Sequence, residues 1–178
     1  MLQATGRPTD ASPLLKSAQT MWRVWSNTSN LQINSLCFAG YVFGLTGHSA
    51  DANAVFKQMG SYSLCEAFRG SLAEGAGSIT AAEAIWAEAI AKGPNEPFVY
   101  MERGQSRLRR GELSGAEADF AAAHQRTPKF ADPLKLWGDL LSQKGNWKDA
   151  VAKYKEALNY APNWPALQEA LATAVRRD

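Results

Sequence analysis

The stretch ADPLKLWGDLLSQKGNWKDAVAKYKEALNYAPNW, residues 131–164, decides the fold of this chain. Two runs of apolar and small residues at helical spacing lie on either side of Gly145. They comprise Leu134, Trp137, Gly138 and Leu141 before the glycine, and Trp147, Ala150, Tyr154 and Ala157 after it. Because Gly145-Asn146 favours a helix end and Pro162 stops a helix, the stretch predicts two helices joined by a turn.

Small residues occupy the positions where the two predicted helices would touch. Gly138 and Ala150 allow the helices to approach closely, and Tyr154 fills the space beside them. Such a pair of helices has an apolar face that it cannot bury by itself. Units of this kind therefore have to stack on one another.

The same pattern recurs along the chain with a period of 34 residues. Two glycine positions, two alanine positions, one aromatic position and one proline position each occur three times. These sets are Gly70, Gly104 and Gly138; Gly77, Gly111 and Gly145; Ala82, Ala116 and Ala150; Trp86, Phe120 and Tyr154; Ala89, Ala123 and Ala157; and Pro94, Pro128 and Pro162. An earlier, degenerate copy has the shorter spacing of 30 and consists of Gly40, Gly47, Ala52 and Phe56.

This signature of small, aromatic, small and proline residues resembles the tetratricopeptide repeat (TPR) family over about residues 33–164. The resemblance implies an all-α fold: a right-handed α-solenoid of about four TPR-like helix–turn–helix units, with an N-terminal helix and a C-terminal capping helix. We predict these segments: a flexible tail at 1–12, an amphipathic helix and linker at 13–32, a degenerate unit at 33–62, repeats at 63–96, 97–130 and 131–164, and the capping helix at 165–178.

Composition and charge exclude several classes of protein. Hydrophobic residues make up 46% of the chain and charged residues 20%, as in an ordinary globular protein, and the net charge is only +2. No segment has the basic excess of a DNA-binding protein, so we expect no nucleic-acid partner. The most apolar stretch, residues 36–45, is too short for direct membrane insertion. We expect a cytoplasmic protein in which Cys37 and Cys65 are reduced thiols, either small packing residues or half-exposed.

The sequence contains no recognisable catalytic or metal-binding motif. His48 and His124 are isolated from one another and are interpreted as surface residues, because neither is near a nucleophile or a metal-ligand cluster in sequence. We therefore expect no enzyme activity, no catalytic residue, no metal ion and no other cofactor. Arg103 is predicted to pair with Asp119 within its own repeat.

The resemblance also implies where a partner would bind. In TPR proteins the first helices of successive units line a concave groove that holds peptides. Helical spacing opposite the core stripe predicts the groove residues Tyr41, Leu64, Phe98, Met101, Gln105, Leu108, Arg109, Lys135 and Asp139. This surface is apolar in the middle and of mixed charge toward the C-terminal end, which suits an amphipathic helix or an extended peptide. The N-terminal helix folding into the groove is the alternative.

One family function is disfavoured by the residues present. TPR domains that hold the C-terminal carboxylate of heat-shock chaperones use lysine, asparagine and arginine on successive first helices. The matching positions here are Cys37, Tyr41, Phe68, Phe98 and Glu102 or, one unit later, Ala67, Ser71, Glu102, Asp132 and Leu136. Neither set provides a cationic pocket, so we expect no binding of such chaperone tails.

The sequence thus predicts a non-catalytic protein–protein interaction scaffold or adaptor that binds a peptide or protein segment in the groove. The alternative is a self-association module that forms a homo-oligomer, or the helical accessory portion of a larger signalling or envelope-assembly protein.

Overall fold

The computed structural model of the chain describes residues 11–25 and 33–178, with side chains from residues 13–20 and 34–178. These residues form helices and no strand, so the prediction of an all-α fold is confirmed. The helices are α1 (Ala11–Trp25), α2 (Ile33–Leu45), α3 (Ser49–Met59), α4 (Ser63–Gly75), α5 (Ile79–Lys92), α6 (Pro97–Arg109), α7 (Leu113–Arg126), α8 (Ala131–Gln143), α9 (Trp147–Leu158) and α10 (Pro165–Arg177).

Two sequence predictions fall outside what the structure describes. These are the flexible tail, except for its last two residues, and the linker at 27–32. Among the described residues, no helix combines the length and apolar character that crossing a membrane requires.

A glycine in the left-handed backbone region links the two helices of each repeat. This conformation turns the chain sharply after the first helix, and glycine adopts it without steric cost. The φ angles are 81° at Gly47, 85° at Gly77, 77° at Gly111 and 75° at Gly145. The repeated glycine of the sequence is therefore explained by backbone geometry at a common turn.

A second set of glycines lets the two helices of a repeat pack closely. A Cβ atom added to Gly138 would lie 2.5 Å from Cε1 of Tyr154, and one added to Gly104 would lie 2.7 Å from Cε1 of Phe120. Both distances are far below van der Waals contact, so only glycine fits. The prediction that Gly138 allows close approach beside Tyr154 is confirmed.

The chain divides into two compact units, and the first comprises residues up to Ala89. Its core contains the fully buried side chains of Phe43, Val55 and Trp86. The indole Nε1 of Trp86 donates a hydrogen bond of 3.0 Å to the carbonyl oxygen of Ala67, which satisfies the polar atom of this buried ring.

A disulfide between Cys37 in α2 and Cys65 in α4 corrects the expectation of reduced thiols. The two first helices pack side by side, and the Cα atoms of the two cysteines are 4.7 Å apart. Both side chains are fully buried. The cysteines are 28 residues apart in sequence, so their pairing depends on how the helices stack and is not visible in local spacing.

The second unit comprises Ile90–Asp178 and contains α6 to α10. Its main core is built on Phe120, Leu134 and Leu140, all fully buried. Helix α10 packs mainly on α9 and adds the buried Leu167 and Ala174 to the same core. The last helix thus covers the apolar face that the final repeat would otherwise leave exposed.

Candidate functional site

The first helices of the second unit, α6 and α8, contact one another and carry most of the predicted groove residues. Phe98 is half-buried, and its ring meets that of Phe130 edge-on with a centroid distance of 6.0 Å. Gln105 is half-buried, and its amide lies 3.5 Å from Oε1 of Glu102. Arg109 is exposed. These residues give α6 a surface that combines an aromatic ring, an amide and a guanidinium group.

Two predicted groove residues on α6 contribute mainly to the core. Met101 is only 8% exposed and packs in a cluster with Tyr100 and Ala123. Leu108 is half-buried and packs against the main core of the unit. Met101 therefore has little surface to offer a partner, because its position on the helix points partly into the stack.

On α8 the predicted residues Lys135 and Asp139 form an ion pair of 2.6 Å. The hydroxyl of the buried Tyr154 donates a hydrogen bond of 2.9 Å to Oδ1 of Asp139 and lies 3.1 Å from Oγ of Ser142. Burial raises the pKa of Tyr154 above its ordinary value, so its hydroxyl stays neutral. The carboxylate of Asp139 is thus held from two sides, by the ammonium and by the phenol.

A recess of about 500 Å³ lies beside this network, between α8, α9 and α10. Its lining is formed by Ser142, Gln143, Trp147, Tyr154, Ala166, Glu169, Ala170, Thr173 and Ala174. Of these, Glu169 is the one charged residue, and three others carry hydroxyl groups. The recess therefore combines a carboxylate, hydrogen-bonding groups and an apolar wall.

In the first unit, the predicted residue Tyr41 belongs to an aromatic cluster. Its ring stacks on that of Phe68 with a centroid distance of 4.7 Å, and Phe38 meets Phe68 at 6.3 Å. Phe38 remains 37% exposed. Leu64, by contrast, is only 9% exposed and belongs to the core. Tyr41 therefore belongs to a partly exposed aromatic cluster on the first unit.

The predicted pair of Arg103 and Asp119 is confirmed. Arg103 donates two hydrogen bonds to the carboxylate, of 2.6 and 3.0 Å, and Arg107 donates a third of 2.9 Å. Asp119 is only 3% exposed. Arg103 and Arg107 are therefore bound to a buried carboxylate within their own repeat, which makes them structural residues.

The two histidines differ from one another. His124 is not an isolated surface residue, since its side chain is only 19% exposed and its Nε2 lies 3.4 Å from Glu156. His48 lies in a turn, where its Nδ1 is 3.1 Å from Oγ1 of Thr46. Within residues 11–25 and 33–178 there is no group of three histidine, cysteine or acidic residues that would hold a metal ion.

Sequence reasoning missed the residues of α10 that line the recess. Glu169 and Thr173 lie 34 positions after Lys135 and Asp139. Extending the repeat register beyond Pro162 would have identified them. Phe38 was missed because the helical spacing selected Tyr41, three residues further along the same helix.

The sequence has no match among family models, and no curated protein matches it. Solved structures do match. TTC0263, a thermophilic TPR protein of Thermus thermophilus, is similar with a TM-score of 0.72 and 18% identity, covering 98% of this chain and 94% of that one. The chain therefore has the TPR fold, as the resemblance in its sequence predicts.

Two further TPR structures are similar over most of their length. YrrB, a TPR protein with an unusual peptide-binding site, matches with a TM-score of 0.58 and 17% identity, covering 91% of this chain and 84% of that one. The first TPR of Spaghetti (RPAP3), bound to the HSP90 peptide SRMEEVD, matches with a TM-score of 0.59 and 17% identity, covering 64% of this chain and 93% of that one.

Proposed function

We propose that the chain is a non-catalytic interaction scaffold that holds a peptide or protein segment in the groove formed by the first helices of its repeats. The observation that carries this proposal is the surface of α6, where Phe98, Gln105 and Arg109 project from a helix fixed by a closely packed core. A rigid surface of this kind binds an extended segment without ordering costs of its own.

The similar structures support the same function. YrrB has an unusual peptide-binding site, and the first TPR of Spaghetti holds an HSP90 peptide. At the positions that would form a chaperone-tail clamp, Cys37 is locked in a disulfide and Glu102 is an acid. We therefore propose a partner other than an acidic chaperone tail.

The absence of catalysis is part of the proposal. The histidine that lies close to a carboxylate, His124, contacts Glu156, and the Lys153 ammonium lies 3.5 Å from the same carboxylate, so this acid takes part in an ion pair. The groove residues Lys135 and Asp139 are bound to each other, with the ammonium 2.6 Å from the carboxylate. Binding is the function that these side chains support.

Affinity capture with matched variants tests the proposal. The full chain would serve as bait in a lysate of the source cells, beside a groove variant carrying Gln105→Glu and Arg109→Glu. A control variant would carry Gln125→Glu and Lys129→Glu, two exposed residues at the second helix of the same repeat and just beyond it. We expect a partner that is retained by the wild type and the control and lost from the groove variant. Equal retention by all three baits would overturn the proposal.

Self-association is the second candidate. The exposed aromatic surface of the first unit, with Phe38 37% and Tyr62 38% exposed, is its support. Light scattering at increasing concentrations of the full chain separates the two functions. A constant monomer mass would exclude self-association, and a mass that doubles with concentration would favour it over peptide binding.

For the compartment, the disulfide argues against the cytoplasm that the sequence analysis predicts. Disulfides persist in oxidising environments and are rare among cytosolic proteins, where glutathione keeps thiols reduced. The bond between Cys37 and Cys65 is fully buried, as expected of a structural rather than a redox-active disulfide. We therefore propose that the chain works in an oxidising compartment.

Mass spectrometry of the protein from its source cells tests the compartment. Cells would be lysed in iodoacetamide, and the chain would be denatured without a reducing agent before its intact mass is measured. An oxidising compartment predicts no added carbamidomethyl group. Two added groups would show free thiols and would return the chain to a reducing compartment.

A further inference from the structure

The first described helix carries the sequence signature of a second repeat helix. In the second helices α3, α5, α7 and α9, an alanine is followed four positions later by an aromatic residue. Ala18 and Trp22 form the same pattern in α1, 34 positions before Ala52 and Phe56 of α3. Ala18 is fully buried, and α1 packs on α2 as α7 packs on α8. Helix α1 is therefore a second helix that has no first helix of its own among residues 11–25 and 33–178.

The last helix is the opposite case, a first helix without a second one. In α8, Gly138 lies against Tyr154 of α9, and Leu141 belongs to the core that the two helices share. The residues 34 positions later in α10 are Ala172 and Val175. Ala172 is exposed and Val175 is 54% exposed, and no helix among the described residues follows α10 to cover them. Helix α10 thus leaves uncovered the face that a second helix covers in the complete repeats.

The two unpaired helices both have an apolar residue at the next pair of repeat positions. In the fourth repeat, these positions hold Trp137 of the first helix and Lys153 of the second, whose ammonium lies 4.1 Å from the ring centroid. The equivalent residues are Leu171 in α10 and Met21 in α1. If α1 of another copy lay on α10 as α9 lies on α8, these two apolar residues would be opposite one another. The repeat register of α10 therefore complements that of α1.

We infer that copies of this chain associate head to tail, with α1 of one copy packed on α10 of the next, so that the two helices complete a further repeat. The contact joins different surfaces of the two copies, so each added copy presents a free helix to another one. It does not involve Phe98, Gln105 or Arg109, the residues of the α6 surface. The inference therefore goes beyond the proposed peptide binding and does not depend on it.

One position of α10 departs from the complete repeats. Ala172 is found where the first helices of the four repeats have glycine. A Cβ atom added to Gly104, one of these glycines, would lie 2.7 Å from Cε1 of Phe120. The methyl group of Ala172 therefore keeps the aromatic residue of a docked α1 farther from α10. We expect an association that is weaker than the packing within a repeat and that depends on concentration.

Complementation between two blocked variants of the full chain tests the inference. The α10-blocked variant carries Ala172→Glu and Val175→Glu, which place charges on the exposed face of α10. The α1-blocked variant carries Met21→Glu. Matched controls carry Thr173→Glu or Thr20→Glu, at exposed positions of the same two helices outside the proposed contact. Light scattering over a range of concentrations would measure the mass, and far-UV circular dichroism would verify the helical fold.

We expect the mass of the wild type and of both controls to rise with concentration from 19.4 kDa to more than twice that value. Each blocked variant alone is expected to stay at 19.4 kDa. An equimolar mixture of the two is expected to form a one-to-one complex, because one variant retains α1 and the other retains the α10 face. Ala172→Gly is expected to associate at lower concentration than the wild type, since it restores the glycine of the complete repeats.

Three results would overturn the inference. A wild type that stays at the monomer mass would exclude association and leave groove binding standing, because the groove residues are tested separately. A mass that stops at twice the monomer and persists in both blocked variants would show a closed dimer through another surface. A mixture of blocked variants that stays monomeric, while the wild type associates, would exclude the contact between α1 and α10.

Discussion

The two units of the chain share one packing contact, between a glycine and an aromatic ring. They differ in the additional interactions that stabilise each unit. In both, a glycine of the first helix faces an aromatic ring of the second, as Gly70 faces Trp86 and Gly104 faces Phe120. The first unit then adds a covalent link between two first helices, from Cys37 to Cys65. The second adds no disulfide and contains polar and cation–π contacts within and between its repeats.

One pair of repeat positions displays this difference directly. In the third repeat Arg103 forms an ion pair with Asp119, and in the fourth the Lys153 ammonium lies 4.1 Å from the ring centroid of Trp137. In the second repeat the corresponding acid is replaced by Ile85, and the arginine pairs along its own helix instead. The glycine–aromatic contact is therefore the same in these repeats, whereas the neighbouring pair of side chains between the two helices differs from one repeat to the next.

The largest expected loss of stability follows from breaking the ion pair between Arg103 and Asp119 in the second unit. Asp119→Ala leaves two guanidinium groups without their buried carboxylate and is expected to lower the free energy of unfolding by about 3–5 kcal/mol. Urea denaturation followed by circular dichroism measures this. Glu112→Ala, which removes an exposed partner of Arg110, serves as control and is expected to remain close to the wild type. Equal stability of the two variants would contradict a structural role for Asp119.

The next effect concerns the disulfide of the first unit. The two cysteines are 28 residues apart in sequence, and closing a loop of this length in the unfolded chain stabilises the fold by about 3.6 kcal/mol. Urea denaturation with and without a reducing agent is expected to differ by this amount. The double variant Cys37→Ala with Cys65→Ala is expected to show no response to the reducing agent. A wild type that is equally stable under both conditions would contradict the covalent link.

A third prediction tests the glycine–aromatic contact that the two units share. Gly70→Ala would push a methyl group into the indole of Trp86 and is expected to cost about 2 kcal/mol. Gly75→Ala, at the end of the same helix, meets open space and is expected to be neutral or to stabilise the fold by up to about 1 kcal/mol. Thermal and urea unfolding of both variants measure the difference. A cost at Gly75 equal to that at Gly70 would mean that close helix approach is not the reason for the glycine.

The smallest effect concerns a contact between the third and fourth repeats in the second unit. Lys144 donates a hydrogen bond of 2.8 Å to Glu117, which lowers the pKa of that carboxyl despite opposing desolvation. Because the pKa of Glu117 is lower in the folded state, the carboxylate stabilises the fold at pH values above its unfolded-state pKa. This stabilisation is lost as the pH falls through the pKa of the folded state. Glu117→Gln is therefore expected to cost a few tenths of a kcal/mol near pH 6, about what an exposed pair contributes.

Unfolding of Glu117→Gln and the wild type at pH 6 and pH 3 checks this sign. The two proteins are expected to differ at the higher pH and to converge at the lower one. If the difference in unfolding free energy between the two proteins grew at low pH, the ionised carboxylate would not be the form that stabilises the fold.

Much of the fold was predictable from sequence because the repeat makes its physical requirements visible several times. The turn glycine at Gly111 and the contact glycine at Gly104 each recur at a spacing of 34 residues, which chance would rarely produce. The Arg103–Asp119 pair was predictable for a related reason. Arg103 directly precedes Gly104 and Asp119 directly precedes Phe120, and the repeat places this glycine and this aromatic residue at the contact between the two helices.

The remaining features depend on contacts between repeats, which the period does not encode. Pairing of Cys37 with Cys65 requires the two first helices to bring these positions side by side. Neither cysteine recurs at the period of the repeat, so the repeat does not predict the pair. The burial of Met101 and Leu64 likewise follows from how far each helix is rotated in the stack, and a rotation of a few tens of degrees moves a residue from groove to core. Such rotations are decided by the neighbouring repeat.

The most direct test of the central claim is site-specific photo-crosslinking in the source cells. A benzophenone amino acid would replace Gln105 on the groove face of α6 or, as the comparison, the exposed Gln125 on α7. The account predicts a crosslinked partner, identified by mass spectrometry, from position 105 and none from position 125. Crosslinking from position 125 alone, or from neither position, would contradict binding in the groove.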